Sequence, residues 1–193
     1  MSSMNGYMKR SLTHVLLLIL TSLVLTACMI NDNRLIESNH HLDPDRAVLI
    51  YGMGVNAKDD AYLRYQIQLH ELDTLENTIS GNCFFHNRTV ASISARSEGV
   101  TYFAFDVTPG DYVFGPYSPY RIAGGAPISF KVPTNSIVYL GDFIYVGNNE
   151  VALQYDFQSA IRRAKLLITN YSAPVLTVQP TKTPPVPAFL CMP

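Results

Sequence analysis

Apolar positions fall into three patterns along the chain. Residues 16–25 form an almost unbroken apolar run, interrupted only by Thr21 and Ser22. From Ala47 onward the pattern is strand-like. Ala47-Val48-Leu49-Ile50-Tyr51 is a short apolar core strand. Tyr65, Ile67 and Leu69 then alternate with Arg64, Gln66, Gln68 and His70, the period of a half-buried strand. Short strand candidates follow at 83–86, 90–93, 100–107, 112–114 and 128–132. Residues 137–146 are the longest β run, apolar on both faces, which places it centrally with Gly141 at a bend or bulge. Gly147-Asn148-Asn149 signals a hairpin returning through 151–155. The period then lengthens. Asp156 caps a helix whose Phe157, Ile161, Ala164 and Ile168 share one face, widened by Ala160 and Leu167, with Arg162, Arg163 and Lys165 outside it. Val175 to Val178 reads as an edge strand and 181–187 as extended, proline-rich chain. The expected architecture is mainly β: an antiparallel β-sandwich of about seven or eight strands with one C-terminal helix.

The first apolar run has a different purpose. Lys9 and Arg10 precede it and small residues close it before Cys28. A positive end, an apolar stretch too short for an ordinary membrane span and a small-residue cleavage site describe a secretory signal over 1–27. Met8-Lys9-Arg10 is the compact start such signals take. Leu25-Thr26-Ala27-Cys28 resembles the lipobox of bacterial lipoproteins. The resemblance implies a diacylglycerol on the Cys28 thiol, cleavage before it and acylation, commonly with palmitate, of the new N-terminus. Several acyl chains anchor firmly where one does not. Met29, rather than Asp, resembles the sorting pattern that sends enterobacterial lipoproteins to the outer membrane, on its periplasmic face. Residues 29–45 are polar and lack a sustained period, so 28–45 reads as the lipidated cysteine plus a flexible tether. The domain follows at 46–170, and 171–193 is a proline-rich tail packed on it.

Composition narrows the partners. The net charge is −1 at pH 7 with His neutral, and losing Lys9 and Arg10 makes the remainder more acidic. No basic run occurs, which disfavours nucleic acid, whose binding needs clustered Lys and Arg. The chain has three cysteines. With Cys28 acylated, only Cys83 and Cys191 remain, and in an oxidising compartment they are expected to pair.

Candidate chemistry is sparse. Gly52-Met53-Gly54-Val55-Asn56-Ala57 matches a dinucleotide fingerprint, but that motif needs a helix next, and a period-two strand follows instead. The glycines therefore read as a loop. His70-Glu71 lacks the second His of the zinc-protease motif, because position 74 is Thr. Cys83 and His86 would point to opposite faces of a strand, which favours a disulfide and a surface histidine over a nucleophile and its base. His40-His41 reads as part of the solvated tether, and Asp142 as a hydrogen-bonded structural carboxylate. No cofactor or metal site is expected. Phe105-Asp106-Val107-Thr108-Pro109-Gly110-Asp111-Tyr112-Val113-Phe114 resembles the Pro-Gly hairpin of transthyretin-like and carboxypeptidase-regulatory-like β-sandwich modules. This resemblance implies a tight type II turn at 108–111 and a small sandwich, with no activity attached. The run 137–143 after it resembles a pattern in uncharacterised Gram-negative envelope proteins. Tyr117, Tyr120 and Arg121, in a proline-spaced loop, are the candidate binding rim, because Tyr rings stack on sugars and Arg holds carboxylates. The expected function is a lipid-anchored, non-catalytic binding module for a periplasmic protein or glycan. The alternatives are a small envelope enzyme, which needs a pocket joining His70, His86, Asp142 or a Ser, and a purely structural or stress-related lipoprotein.

Overall fold

The computed structural model describes residues 29–57, 64–115, 117–169 and 174–187. The signal segment, Cys28 and Cys191 lie outside them. Thirteen strands and one helix occur among the described residues. In chain order they are β1 (Arg34–Leu35), β2 (Ala47–Val55), β3 (Arg64–Asp73), β4 (Thr78–Ile79), β5 (Arg88–Ser94), β6 (Val100–Val107) and β7 (Gly110–Phe114). Then come β8 (Arg121–Ile122), β9 (Ile128–Val132), β10 (Ile137–Gly147), β11 (Glu150–Gln154), α1 (Phe157–Leu167), β12 (Val175–Thr177) and β13 (Thr181–Lys182).

The strands divide into two sheets. The large sheet runs β1-β6-β2-β10-β11-β8, with β12 also on β10; the small one runs β13-β9-β7-β3-β4, with β5 on β3. Their facing sides share one core. Leu49, Tyr51, Val138 and Phe143 come to it from the large sheet, and Ile67, Leu69, Tyr112 and Phe130 from the small one. The other side of the large sheet is covered too. Val48, Ile50, Ile137 and Tyr139 pack beneath Ala160, Ala164 and Leu167 of α1. This double cover explains why β2 and most of β10 are apolar at every position.

The expected all-antiparallel pairing is corrected by the large sheet, which is mixed. β10 runs parallel to both β2 and β12, and β11 parallel to β8. The count of seven or eight strands fell short because two-residue pairings such as β1, β4, β8 and β13 leave no period in the sequence. The turn at 108–111 is also corrected. β6 belongs to the large sheet and β7 to the small one, so the chain crosses between layers there instead of forming a hairpin. Gly110 does not take the positive φ that a type II turn requires. Gly52 and Gly54 are not a loop but lie inside β2.

Residues 29–45, expected to be a tether, are built into the fold. β1 pairs with β6, and Ile36 and Leu42 are buried with the helix cluster. Ile30 bridges Phe85 and His40 bridges Ile168. Arg46 fastens the segment, donating to Asp106 at 2.6 Å and to the Asp32 carbonyl at 2.8 Å. Polar composition misled here because Asn31 and Asn33 bond to the domain, Asn31 donating to the Arg88 carbonyl and Asn33 to the Tyr112 hydroxyl. Within residues 174–187 the chain returns to the small sheet. β13 pairs with β9, and Val186 is buried beside Leu72, Ile79 and Val113.

Two local predictions hold in detail. Asn148 and Asn149 both take positive φ between β10 and β11, the signature of a two-residue type I′ hairpin. Asp156 caps α1, accepting from the Ser159 backbone N–H at 3.1 Å. The buried helix stripe is Ala160, Ala164 and Leu167, while Phe157 stays exposed. The small alanines let the helix lie close to the sheet, and that rotates the apolar face away from Phe157.

Candidate functional site

The proline-spaced loop after β7 does not present its three rim residues as one surface. Tyr120 turns inward between the ends of β3 and β10. Its ring meets Tyr65 edge-on at 5.0 Å and Tyr145 at 5.5 Å, and its hydroxyl donates to the Arg64 carbonyl. Tyr65 and Tyr145 lie 5.6 Å apart, and the Tyr65 hydroxyl donates to the Phe143 carbonyl at 3.2 Å. Each such ring pair adds about 0.5–1.5 kcal/mol beyond the area it buries. The three rings, with Val55, Pro119 and Asn149, line a cavity of about 250 Å³ at the mouth between the sheets. A second cavity, of about 170 Å³, also has Tyr120 in its lining. Arg121, Phe114, Pro127 and Val186 help to line it. Arg121 is held at its edge by Glu150 at 3.0 Å. Tyr120 therefore lines two hollows, one largely aromatic and one with a guanidinium in its lining.

Tyr117 lines neither cavity, but it packs against Val113 and Val186, which line the second one. Its ring packs 4.9 Å from His70 and 6.4 Å from His86. The two imidazoles stack at 5.0 Å and share a hydrogen bond of 3.0 Å between His70 Nδ1 and His86 Nε2. His70 is 0 % exposed and His86 3 %, so the expectation of a surface His86 is corrected. The reason is that 82–87 is not a strand. Asn82 Oδ1 accepts from both Phe84 and Phe85 N–H, and this turn swings His86 onto the outer side of β3. Burial, then the neighbouring His86 and Arg88, pull His70 down to about 3; burial lowers His86 as well. Both rings are therefore neutral near pH 7, and neither lines either cavity. An imidazole titrating so low is a weak base, and the buried Nε2 of His70 has no hydrogen-bond partner among the described residues. No cluster of three or more His, Cys, Asp or Glu suited to a metal occurs among the described residues.

Asp142 is in a third place, beneath the helix. In a regular strand Tyr139 and Asp142 would point to opposite faces. Gly141, at φ +111°, forms a bulge there and the pairing with β2 slips by one residue. Both side chains then face α1. Asp142 Oδ1 accepts from the Tyr139 hydroxyl at 2.7 Å and Oδ2 from the Tyr102 hydroxyl at 3.1 Å. The Tyr139 hydroxyl in turn accepts from the Asp156 N–H at the start of the helix. The expected structural role for Asp142 matches this arrangement. Burial raises its pKa, and the two tyrosines offset part of that. Gly52 makes room for the carboxylate, since a Cβ there would stand 2.1 Å from Oδ1.

The candidate residues therefore fall into three groups, two of which adjoin: Val113 and Val186 line the Arg121 hollow and also pack against Tyr117. Tyr120 and Arg121 line the hollows, Tyr117 covers the histidine pair, and Asp142 ties the helix to the large sheet. Sequence reasoning missed Tyr65 and Tyr145 as cavity residues. Their inward register is legible from the strand period, but their meeting requires knowing that β3 and β10 lie in opposite sheets. Cys83 lies in the Asn82 turn and is not free; Cys28 and Cys191, the other two predicted positions, lie outside the described residues. No helix among the described residues is long and apolar enough to cross a membrane. No family model, curated protein or solved structure matches the chain, so the geometry and the sequence motifs carry the functional argument.

Proposed function

We propose that this is a lipid-anchored envelope protein whose two facing sheets form a β-sandwich binding module for a periplasmic protein or glycan. The anchor rests on the signal at 1–27 and the lipobox-like Leu25-Thr26-Ala27-Cys28. Met29 favours the outer membrane by its resemblance to the sorting pattern. The observation that carries the binding reading is the pair of hollows that share Tyr120 in their linings. Together they offer aromatic faces and a guanidinium to one ligand surface. The histidine pair gives no comparable support to an enzyme, because it is buried, neutral near pH 7 and not part of the lining of either hollow.

A photoreactive residue at Pro119, on the aromatic hollow, tests the reading in cells, with Arg162 on the exposed side of α1 as control. One specific adduct from position 119 that is absent from 162 is expected, and mass spectrometry identifies the partner. The same adducts from both positions, or none from 119, would remove the hollow as a binding site.

With Cys28 acylated, Cys83 and Cys191 form the remaining pair. The tail supports this pairing by returning to the small sheet, where Asn77 donates to the Pro185 carbonyl at 3.3 Å. Ile30 and Phe85 bridge in parallel, and Cys28 and Cys83 each precede them by two residues. An unacylated Cys28 thus competes with Cys191 for Cys83, and acylation decides between them.

A further inference from the structure

The domain carries an exposed apolar patch where the acylated residue would join it. Met29 follows Cys28 directly and is 38 % exposed, Ile30 is 57 % exposed, and Phe84 is 65 % exposed. These residues are neighbours through the backbone: the Ile30 N–H donates to the Phe84 carbonyl at 2.7 Å, and the His86 N–H to the Ile30 carbonyl at 2.9 Å. The exposure of Phe84 is enforced. Asn82 Oδ1 takes the N–H groups of Phe84 and Phe85 at 2.8 and 3.0 Å, and Asn82 N–H donates to the Phe85 carbonyl. Gly81, at φ +140°, sits where a Cβ would strike that carbonyl at 2.5 Å. The turn is thus fixed with its aromatic ring outward, next to the only stretch of chain that leads to the anchor.

Residues 29–45 supply no spacer, since Ile30 is already bridged to the domain. Given an anchored Cys28, we infer that Met29, Ile30 and Phe84 form a membrane-seating face. The occupant is the interfacial layer of the bilayer that holds the acyl chains, and the domain lies against it in one fixed orientation. An apolar ring and two aliphatic chains partition into that layer, and each adds to the hold of the lipid. α1, with Leu166 74 % exposed, is not joined to the anchor in this way and serves as the reference surface. This inference rests on the lipoprotein reading and specifies how such a protein sits.

The chain contains no Trp, which gives a clean probe. Phe84→Trp and Leu166→Trp are made in the full-length, membrane-expressed protein. Each purified variant is placed in phosphatidylcholine–phosphatidylethanolamine vesicles with or without bromine-labelled acyl chains. Peptide mapping without reduction reports in parallel whether Cys28 is acylated or joined to Cys83. The expected result is an acylated Cys28, with the indole of the Phe84→Trp variant blue-shifted and its fluorescence at least halved by brominated lipid, while that of the Leu166→Trp variant is unchanged. Acylated Cys28 with the Phe84→Trp variant no more quenched than the Leu166→Trp variant would overturn the seating face and leave the anchor standing. Cys28 found unacylated or disulfide-linked would overturn both.

Discussion

The Asp142 cluster and the His70–His86 pair are both buried polar groups, yet the fold treats them in opposite ways. Asp142 lies within the doubly covered large sheet and receives two tyrosine hydroxyls, one of which also takes the helix N–H of Asp156. Nearly every polar atom there has a partner, and the cluster joins three elements. The histidines lie on the outer side of the small sheet beside the Tyr117 ring and share a hydrogen bond, while the buried Nε2 of His70 has no hydrogen-bond partner among the described residues. One arrangement stitches the fold together, whereas the other is tolerated by it. A buried polar group stabilises only to the degree that its bonds are completed, since an unpaired one carries about 1–3 kcal/mol of desolvation.

The comparison is broken most severely at Gly52. Gly52→Ala drives a Cβ into the Asp142 carboxylate and is expected to cost about 3 kcal/mol, read by chemical denaturation. Combining it with Asp142→Ala should cost clearly less than the sum of the two single changes. Additive costs would mean that the carboxylate is not what Gly52 accommodates.

Acid separates the two clusters next. His70 ordinarily titrates near 6.5 but is lowered to about 3 in the fold, so the unfolded chain binds a proton that the native one refuses. Its contribution is fully present above about pH 6.5 and declines at up to about 1.4 kcal/mol per pH unit as pH falls toward 3. His86 shifts the same way. Asp142 acts in reverse. Its raised folded pKa means that the native state holds a proton longer, so its ionisation penalty is relieved as pH falls toward its ordinary value of 3.8. Between pH 6.5 and 5 the histidine effect amounts to about 2 kcal/mol. Equilibrium unfolding across that range should show the decline, and His70→Phe should flatten it whatever the variant's stability at pH 7. An unchanged slope would place the acid sensitivity elsewhere.

The smallest effect sharpens the contrast. Tyr139→Phe removes one hydroxyl that both donates to Asp142 and accepts from Asp156, and should cost about 1 kcal/mol. Hydrogen exchange at the Asp156 amide should rise more than exchange within β3. Equal changes in both would show that the loss is not local to the helix start.

How much of this was legible depends on the range of the interaction. The strands around β2, β3, β6 and β10, the hairpin at Asn148 and Asn149, the Asp156 cap and the bulge at Gly141 all follow from signals within a few residues. Sheet membership does not. The Pro109-Gly110 turn looks the same whether it closes a hairpin or passes between layers, and here the partners of β6 and β7 decide. The histidine pair was missed because His70 and His86 meet through the Asn82 turn, which strand periodicity does not encode. The loop sequence likewise does not show that Tyr117 and Tyr120, three residues apart, pack against different neighbours.

Periodicity and turn chemistry are local, so the sequence alone determined that the chain is mainly β with one capped C-terminal helix. It also determined that the run 137–146 is apolar on both faces. Only the tertiary structure decided the mixed pairing of the large sheet, the packing of residues 29–45, the shared hollows at Tyr120 and the polar clusters at Asp142 and His70. Each of those depends on residues distant in the chain meeting at a few ångströms, and a side chain's burial, partners and protonation follow from where the fold places it.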